Sequence, residues 1–375
     1  MKIAKTIFAF CFLIFAFSSF AAEPKQVRVL IVPRAESLSL KIDGGYEIEE
    51  GKGGEIILRG NGLKTAVSAY RSGIMLGTTI SHGSRIFINS ETSGTVAING
   101  RKFRGDIEII EKDASYLQAV NYIGLEDYIK GVLYHEVSHY WPIEALKAQA
   151  VACRTFALSQ MRENSAKDYD VTSDIYSQVY GGKTSERYRT NKAVMETGSE
   201  ILAFQGEIFP AYYHATCGGN TEDASLLWNI NIAPLKGVPC GFCKGSPHFN
   251  WHLVLAQDKI AEALSKAGYS GIGRIKNIVV LDKDQSGRNK NLKIMTDKKD
   301  FEISAKDFRN AAGPNVLRST KFDVEASGGD AVFIGSGWGH GVGMCQWGAY
   351  FMAKKGSNYQ EILKYYYPQA NVEAK

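Results

Sequence analysis

The chain has 375 residues, of which 45% are hydrophobic and 22% charged, the composition of a soluble globular protein. A chain of this length is expected to form one large or two smaller domains. Lys and Arg number 44 against 39 Asp and Glu, and the basic residues form no cluster. We therefore expect no nucleic-acid partner, because nucleic-acid binding usually needs a concentrated basic surface.

Residues 1–21 have the pattern of a secretory signal peptide. Two lysines precede an apolar run at residues 7–17, and small residues precede the predicted cleavage site before Ala22. An uncleaved anchor helix is the alternative, although the apolar run is shorter than the roughly 20 residues that usually span a bilayer. We therefore expect an exported protein, located in the periplasm or the cell wall.

Residues 22–113 are predicted to form a β-rich region. Residues 26–33 alternate polar and apolar side chains, which indicates a strand, and short alternating runs follow between Gly-rich turns. Asn99-Gly100 separates two such runs and predicts a hairpin. This region carries no catalytic constellation, so we expect it to support or present the rest of the chain.

Residues 114–375 show a mixed pattern, and the predicted fold class is therefore α+β. A strand, a short helix and a loop containing Glu136 precede a helix predicted over residues 142–163, with Pro142 at its first position. Further predicted helices cover residues 258–267, 344–355 and 359–366, and strands lie within residues 274–296. The predicted domain boundary falls near Asp113.

Glu136 is the first candidate for chemistry. It lies between two histidines and near Tyr134, Tyr140 and Trp141. Aromatic neighbours desolvate a carboxylate and raise its pKa, which suits the group to general acid catalysis. From these residues alone, an ordinary solvated surface acid fits equally well.

Four stretches of the chain resemble the stage II sporulation protein D (SpoIID/LytB) family, and they occur in the family's order. The sequence around Glu136 and the helix after it, which contains EALKAQAVACRT at residues 144–155, resembles the central family motif. The other three stretches are YSQVYGG (176–182), YYHATCGGNTEDASLLW (212–228) and GWGHGVGMCQWGAYFMAKKG (337–356). Together they span roughly residues 116–368, so the resemblance implies a SpoIID-like catalytic domain after the β-rich region.

The resemblance implies a peptidoglycan lytic transglycosylase with Glu136 as general acid and base. Such an enzyme cleaves glycan strands between N-acetylmuramic acid and N-acetylglucosamine and forms a 1,6-anhydro ring, with a preference for strands whose stem peptides an amidase has removed. Some members of the family are amidase enhancers. A glycan-binding protein that stimulates an N-acetylmuramoyl-L-alanine amidase is therefore the alternative function, and such an amidase is a candidate partner.

Other catalytic arrangements remain open at the level of sequence. A hydrolytic glycosidase needs a second carboxylate, for which Asp127, Asp174 and Asp223 are candidates without a spacing argument. A Cys-His hydrolase would use Cys345 with His340 or His214, but the family resemblance assigns the central role to the glutamate. No cofactor is required for transglycosylation.

Eight residues of the family motifs are predicted to contact the glycan. Arg154 and Gln149 lie in an Ala-rich helix; Arg154 must reach solvent or pair with a carboxylate, and the resemblance favours the glycan cleft, with a structural role as the alternative for both. The other six are aromatic or hydrogen-bonding residues of the three later motifs: Gln178, Tyr180, His214, Trp338, His340 and Gln346.

The later cysteines and histidines have the spacing of a zinc site. Cys217, Cys240, Cys243 and His248 form the predicted ligand set for a structural zinc ion. In an exported protein a disulfide among the three cysteines is an equal alternative, and reduced core thiols are a third. Some relatives bind zinc at a different place, through a His-Cys pair where this chain has Tyr176-Ser177. Because those ligands are absent here, the relatives' metal site is not carried over.

Overall fold

Alternating apolar residues build a long N-terminal β-sheet. In the computed structural model, which describes residues 26–71, 73–91 and 94–374, the first strand buries Val27, Val29 and Ile31. The strands are β1 (Gln26–Ala35), β2 (Ser37–Glu49), β3 (Ile56–Tyr70), β4 (Gly73–Leu76), β5 (Thr79–Ser81), β6 (Arg85–Ser90), β7 (Thr95–Ile98), β8 (Arg101–Phe103), β9 (Asp106–Lys112), β10 (Tyr116–Gly124) and β11 (Val171–Thr172). The predicted strand at residues 26–33 and the β-rich character of this region are confirmed.

The strand order of this sheet is β11-β1-β10-β9-β6-β2-β3-β4-β5, and β7 pairs with both β2 and β8. Its β7–β8 hairpin turns at Asn99 and Gly100, which have φ angles of 49° and 80°. Two consecutive positive φ angles are what a tight two-residue hairpin requires, and Asn-Gly adopts them readily. The predicted hairpin is confirmed. The predicted signal peptide, residues 1–21, lies outside the described residues.

Two helices cover this sheet and share its core. Helix α1 (Leu125–Glu136) and helix α2 (Ile143–Glu163) bury Val132, Leu133 and Leu146 in one cluster with the strands. Asp113 lies in the turn between the adjacent antiparallel strands β9 and β10. The hydrophobic core contains residues from both sides of Asp113. The predicted division of the chain into two domains at that residue stays a prediction.

The remaining elements follow in chain order. They are α3 (Tyr188–Glu196), β12 (Glu200–Phe204), β13 (Glu207–Ile208), β14 (Tyr213–His214), α4 (Ala224–Trp228), β15 (Asn250–Ala256), α5 (Gln257–Lys266), β16 (Ile275–Lys283), β17 (Asn289–Thr296), β18 (Phe301–Ser304), α6 (Ala305–Ala312), β19 (Phe322–Ser327), β20 (Asp330–Ser336), β21 (Met344–Cys345), α7 (Gln346–Lys354), α8 (Tyr359–Tyr366) and β22 (Asn371–Ala374), with short 3₁₀ turns at Gly182–Ser185, Ala233–Leu235 and Cys243–Gly245.

These elements form two further cores. One joins the opposite face of α2 to α7, α8 and the sheet β13-β12-β22. The other lies between the sheets β15-β20-β19 and β16-β17-β18, which pack with α5 and α6. The sequence patterns did not separate this last unit from the rest. The predicted α+β class is confirmed by the mixture of helices with mainly antiparallel sheets.

Two local predictions were wrong near the candidate acid. Glu136 is the last residue of helix α1 rather than part of a loop. Pro142 is the N-cap of α2, with φ −51° and ψ 140°, rather than its first helical residue. The predicted helices at residues 258–267, 344–355 and 359–366 are confirmed as α5, α7 and α8, with ends displaced by at most two residues. None of the described helices combines the length and apolar composition needed to cross a membrane.

Candidate functional site around Glu136

A cavity of about 570 Å³ lies where the three cores meet. Its wall contains the C-terminal end of α1, strand β14, the glycine-rich segment before β21 and the first residue of α7. Helix α6, which packs in the third core, contributes Lys306, Arg309 and Asn310 to the wall. The cavity is thus bounded by segments that lie far apart in the sequence.

The alternating glycines of residues 337–343 allow this wall to form. Gly337, Gly339, Gly341 and Gly343 all have positive φ angles, between 71° and 110°. A Cβ atom at Gly339 would lie 2.7 Å from the Cβ of His214. Glycine is therefore required both for the left-handed backbone and for the close approach of the two wall segments.

Glu136 projects into this cavity from the end of α1. Its Oε1 accepts a hydrogen bond from the Val179 amide at 3.3 Å, and the side chains of Tyr213 and Gln346 also bond to the carboxyl group. These bonds favour the ionised form, but burial outweighs them and raises the pKa of Glu136 to about 7. The group therefore exchanges its proton near neutral pH, as a general acid and base must.

A chain of buried hydrogen bonds positions Tyr213 beside this carboxyl group. The Tyr128 hydroxyl donates to Oε1 of Gln178 at 3.1 Å, and Nε2 of Gln178 donates to the Tyr213 hydroxyl at 2.9 Å. Because the Tyr213 oxygen accepts that bond, its own proton remains available to a neighbour, and Tyr213 is one of the side chains that stabilise ionised Glu136. Gln178, a predicted glycan contact, thus reaches the site through Tyr213 and does not line the cavity.

Val342 sets the proton positions of two cavity histidines. Its carbonyl lies 3.0 Å from Nδ1 of His214, and its amide donates to Nδ1 of His340 at 3.1 Å. His214 therefore carries its proton on Nδ1 and His340 on Nε2. Burial lowers the pKa of His214 to about 3 and that of His340 far below its usual range, so both rings are neutral. Nε2 of His214 is a buried acceptor without a hydrogen-bond partner among the described residues.

Aromatic rings and two cations complete the cavity wall. Tyr212 and Trp228 stack with ring centroids 4.3 Å apart, and both line the cavity together with Trp338. Lys306 donates to the carbonyl of Leu227 at 2.9 Å, and no carboxylate of the described residues pairs with it or with Arg309. The sequence did not predict either cation, because α6 lies outside the recognised motifs. Tyr212 and Trp228 lie inside one of those motifs but were not predicted as cavity residues.

Of the nine residues predicted for catalysis or glycan contact, five line the cavity. These are Glu136, His214, Trp338, His340 and Gln346. Gln149 is buried in α2, and its Nε2 donates to the sulfur of Cys153 at 3.3 Å. Tyr180 is buried between the sheet and α1, where its hydroxyl donates to Oδ1 of Asn121 at 2.8 Å. The structure therefore places these two among the supports of the site.

Arg154 is also remote from the cavity. Its guanidinium is fully buried and donates to both carboxylate oxygens of Glu126, at 2.7 and 2.8 Å. It also donates to the carbonyls of Glu200 at 2.9 Å and Val194 at 3.3 Å. The sequence required this charge either to reach solvent or to pair with a carboxylate, and the structure shows the pairing. The ion pair connects α2 to the start of α1.

Glu136 is the only carboxylic acid among the described residues that line the cavity. The other acids considered from the sequence are engaged elsewhere. Asp127 pairs with Lys130 at 2.7 Å, Asp174 accepts from Thr172 at 2.7 Å, and Asp223 caps helix α4. Cys345 is fully buried and does not line the cavity, so the geometry gives no support to a cysteine nucleophile.

The predicted metal ligands are only partly brought together. The sulfurs of Cys217, Cys240 and Cys243 converge as the spacing predicted, but the fourth group beside them is Cys345. His248 instead packs its ring against Trp338, with centroids 4.6 Å apart. His248 is therefore not brought to the sulfurs, and Cys345 at the start of α7 takes the fourth position beside them.

The comparisons with known proteins cover most of the chain. A family described as Stage II sporulation protein matches residues 113–204, and a domain of unknown function matches residues 241–343, which contain the third core. An uncharacterized protein of Brachyspira hyodysenteriae is 35% identical over 309 residues, or 82% of this chain and 78% of that protein.

Two relatives from Bacillus subtilis have descriptive names. Stage II sporulation protein D is 32% identical over 267 residues, which are 67% of this chain and 74% of that protein. Amidase enhancer is 26% identical over 328 residues, which are 75% of this chain and 45% of that longer protein. With its motifs in order and these similarities, the chain belongs to the stage II sporulation protein D family.

Proposed function

We propose that this protein is an exported lytic transglycosylase that cleaves peptidoglycan glycan strands, with Glu136 as its single general acid and base. The observation that carries this proposal is the isolation of Glu136: it is the one carboxyl group on the cavity wall within the described residues, and its pKa is about 7. A hydrolytic glycosidase normally uses two carboxyl groups on opposite sides of the bond. Lytic transglycosylation needs one.

The reaction uses this one group twice. Protonated Glu136 donates to the oxygen that links N-acetylmuramic acid to N-acetylglucosamine, and that bond breaks with the proton on the leaving sugar. The resulting carboxylate then takes the proton from the 6-hydroxyl of the muramic acid, while the oxygen of that hydroxyl bonds to C1 of the same sugar. The 1,6-anhydro ring closes, Glu136 is protonated again, and no water is consumed.

The surroundings of Glu136 fit both stages. Hydrogen bonds from the Val179 amide, Tyr213 and Gln346 stabilise the carboxylate between the two proton transfers. The neutral His214 presents an acceptor suited to a sugar hydroxyl or amide. The rings of Trp228 and Trp338 supply apolar faces on which sugars can pack.

The two cations fit a strand from which the stem peptide has been removed. Removal of the peptide by an amidase leaves a free carboxylate on the lactyl group of each muramic acid. Lys306 and Arg309 place positive charge on the wall contributed by α6, and charge-assisted hydrogen bonds to a carboxylate are among the stronger polar contacts. We therefore propose that amidase-treated strands are the preferred substrate, in the periplasm or cell wall.

The test compares the mature protein and Glu136→Gln on amidase-treated glycan strands, with products identified by mass spectrometry. We expect fragments ending in 1,6-anhydromuramic acid from the wild type and at least a 1000-fold lower rate from the variant, since the acid and base are lost together. Asp127→Asn and Asp174→Asn are matched controls that remove remote carboxylates and should leave the rate within twofold. Reducing-end products from the wild type would replace transglycosylation with hydrolysis.

The second candidate function rests on the relative named amidase enhancer. A protein of this kind would bind glycan in the same cavity and stimulate an N-acetylmuramoyl-L-alanine amidase without cleaving the strand. Amidase rates with and without Glu136→Gln separate the two functions. Undiminished stimulation by the variant, together with no cleavage by the wild type, would favour the enhancer function.

A further inference from the structure

Four cysteine sulfurs converge behind the cavity wall. The sulfur atoms of Cys217, Cys240, Cys243 and Cys345 all lie within 4.8 Å of one another, and all four residues are buried. The sulfurs of Cys217 and Cys243 are 3.4 Å apart. The four come from three segments: the turn after β14, a Cys-Gly-Phe-Cys turn, and the N-cap of α7.

This arrangement has the dimensions of a tetrahedral metal site. A zinc ion with four thiolates at about 2.3 Å holds its sulfurs about 3.8 Å apart. The observed sulfur separations need only small side-chain adjustments to reach that distance. Two disulfides would require two separate pairs at about 2.05 Å, and nothing in that bonding would draw all four sulfurs around one centre.

The surroundings of the sulfurs suit thiolates rather than neutral thiols. The backbone amides of Cys217 and Gly348 each donate to the sulfur of Cys345 at 3.3 Å. The Tyr366 hydroxyl lies 3.2 Å from the sulfur of Cys240. Donors of this kind stabilise the charge on metal-bound sulfur and fix its orientation.

Two buried or half-buried cations offset the remaining charge. Arg288 donates to the carbonyl of Cys217 at 2.8 Å, and Lys321 donates to the carbonyl of Gly218 at 2.9 Å. Four thiolates around Zn²⁺ carry a net charge of −2, which is costly to bury alone. Positive groups fixed to the same turn reduce that cost.

We propose that Cys217, Cys240, Cys243 and Cys345 bind one Zn²⁺ ion as thiolates in a structural site. Binding replaces four thiol protons, which are released to solvent, with four Zn–S bonds and changes no oxidation state. The site is closed, because all four positions are filled by cysteine, so the ion supplies no open coordination position for chemistry.

The site would hold together two parts of the cavity wall. Cys217 follows His214 by three residues, and Cys345 directly precedes Gln346. Strands β14 and β21 already pair in parallel, with His214 opposite Cys345. These strands are only two residues long, so the backbone pairing alone is a weak connection. A metal ion bound by both segments would fix the acceptor of His214 and the amide of Gln346 relative to Glu136.

The experiment measures metal, and it needs no substrate. The whole mature protein is purified without metal supplements or chelators, and its zinc and iron contents are measured by elemental mass spectrometry. Its intact mass is then recorded after denaturation without reductant. We expect one zinc per chain and a mass showing five free thiols. Cys240→Ser should lower bound zinc at least tenfold, whereas Cys153→Ser, which removes the buried cysteine outside the cluster, should retain one zinc per chain.

Three results would overturn the proposal. The first is one or two disulfides without bound metal, each of which lowers the intact mass by two hydrogens. The second is iron in place of zinc, and the third is five free thiols without any metal. The wild-type mass and metal content decide among these even if Cys240→Ser does not fold. Because neither measurement involves glycan, failure of the transglycosylase proposal and failure of the zinc proposal are distinguishable.

Discussion

At the scale of single residues, the behaviour of Glu136 depends on where its proton resides. Its carboxyl group is enclosed by the protein yet opens onto the cavity, and burial is the dominant influence on its pKa of about 7. The protonated form must start the proposed reaction. The rate should therefore be highest below about pH 7 and fall as the pH rises through that value.

The same shift predicts a change in stability. Because the pKa is raised in the folded state, the folded protein binds the proton more tightly, and the wild type loses stability as the pH rises from about 4 to 7. Glu136→Gln has no proton to lose. It should be as stable as the wild type at pH 4 and more stable by on the order of 2 kcal/mol at pH 8, since one pKa unit corresponds to about 1.4 kcal/mol and contact with the cavity solvent reduces the full effect.

Urea unfolding of both proteins at several pH values measures this difference. Asp127→Asn, which alters a half-exposed acid paired with Lys130, is the control and should follow the wild type at every pH. A stability difference between Glu136→Gln and the wild type that does not change with pH would contradict a raised pKa at Glu136.

Lys306 gives a second prediction at this scale, one that concerns substrate selection. Lys306→Met keeps the length of the side chain but removes the charge that faces the cavity from α6. If the lysine binds the lactyl carboxylate, KM for amidase-treated strands should rise about tenfold or more, because a hydrogen bond to a charged group contributes about 1.5–3 kcal/mol. The kcat value should change little.

The matched control for Lys306 is Lys259→Met on helix α5, where the lysine pairs with Glu262 outside the cavity. Steady-state kinetics on strands with and without stem peptides provide the measurement. An equal rise in KM for both substrates would mean that the charge attracts the polymer in general and does not recognise the exposed carboxylate.

At the scale of elements, the glycine-rich segment before α7 determines how closely two wall segments approach. Gly343 has φ 71°, and a Cβ atom there would collide with the carbonyl oxygen of Tyr212, which accepts the amide of Met344 at 3.0 Å. Gly343→Ala should therefore disturb the alignment of β14 with β21 in addition to straining its own backbone.

Gly356 separates these two effects. It also has a positive φ angle, 98°, but no atom lies within 4 Å of a Cβ built there. Gly356→Ala should cost about 1–2 kcal/mol from backbone strain alone, and Gly343→Ala should cost about 1–3 kcal/mol more because of the collision. Urea unfolding measures both changes. Equal costs would show that the close approach at Gly343 relaxes without a penalty.

The sequence predicted elements better than it predicted contacts between them. Period-two alternation located β1, Asn-Gly located the β7–β8 hairpin, and the family motifs contain the five predicted residues that line the cavity. Arg154 lay beyond such reasoning, because its partner Glu126 belongs to another helix. For the same reason, the sequence assigned His248 to the place beside the three sulfurs where the structure has Cys345: sequence spacing does not show which distant segment returns to the cluster.

At the scale of the whole molecule, the N-terminal sheet and the helix that carries Glu136 share one core. Ile109 of β9 and Leu133 of α1 are fully buried in the same cluster, and Phe333 of β20 belongs to the separate third core. A domain boundary near Asp113 would place Ile109 and Leu133 in different units. The packing instead predicts that damage to the sheet will reach α1.

Hydrogen exchange on Ile109→Ala tests this prediction. Truncation of a buried isoleucine should cost about 2–5 kcal/mol, and if the core is shared, amides of α1 and α2 should exchange faster together with those of the sheet. Phe333→Ala is the matched control, and its faster exchange should remain largely within residues 250–336. If the effect of Ile109→Ala stops at β9, the sheet unfolds independently and the boundary near Asp113 separates two units. If it reaches α1, the β-rich region is part of the support that holds Glu136 at the cavity.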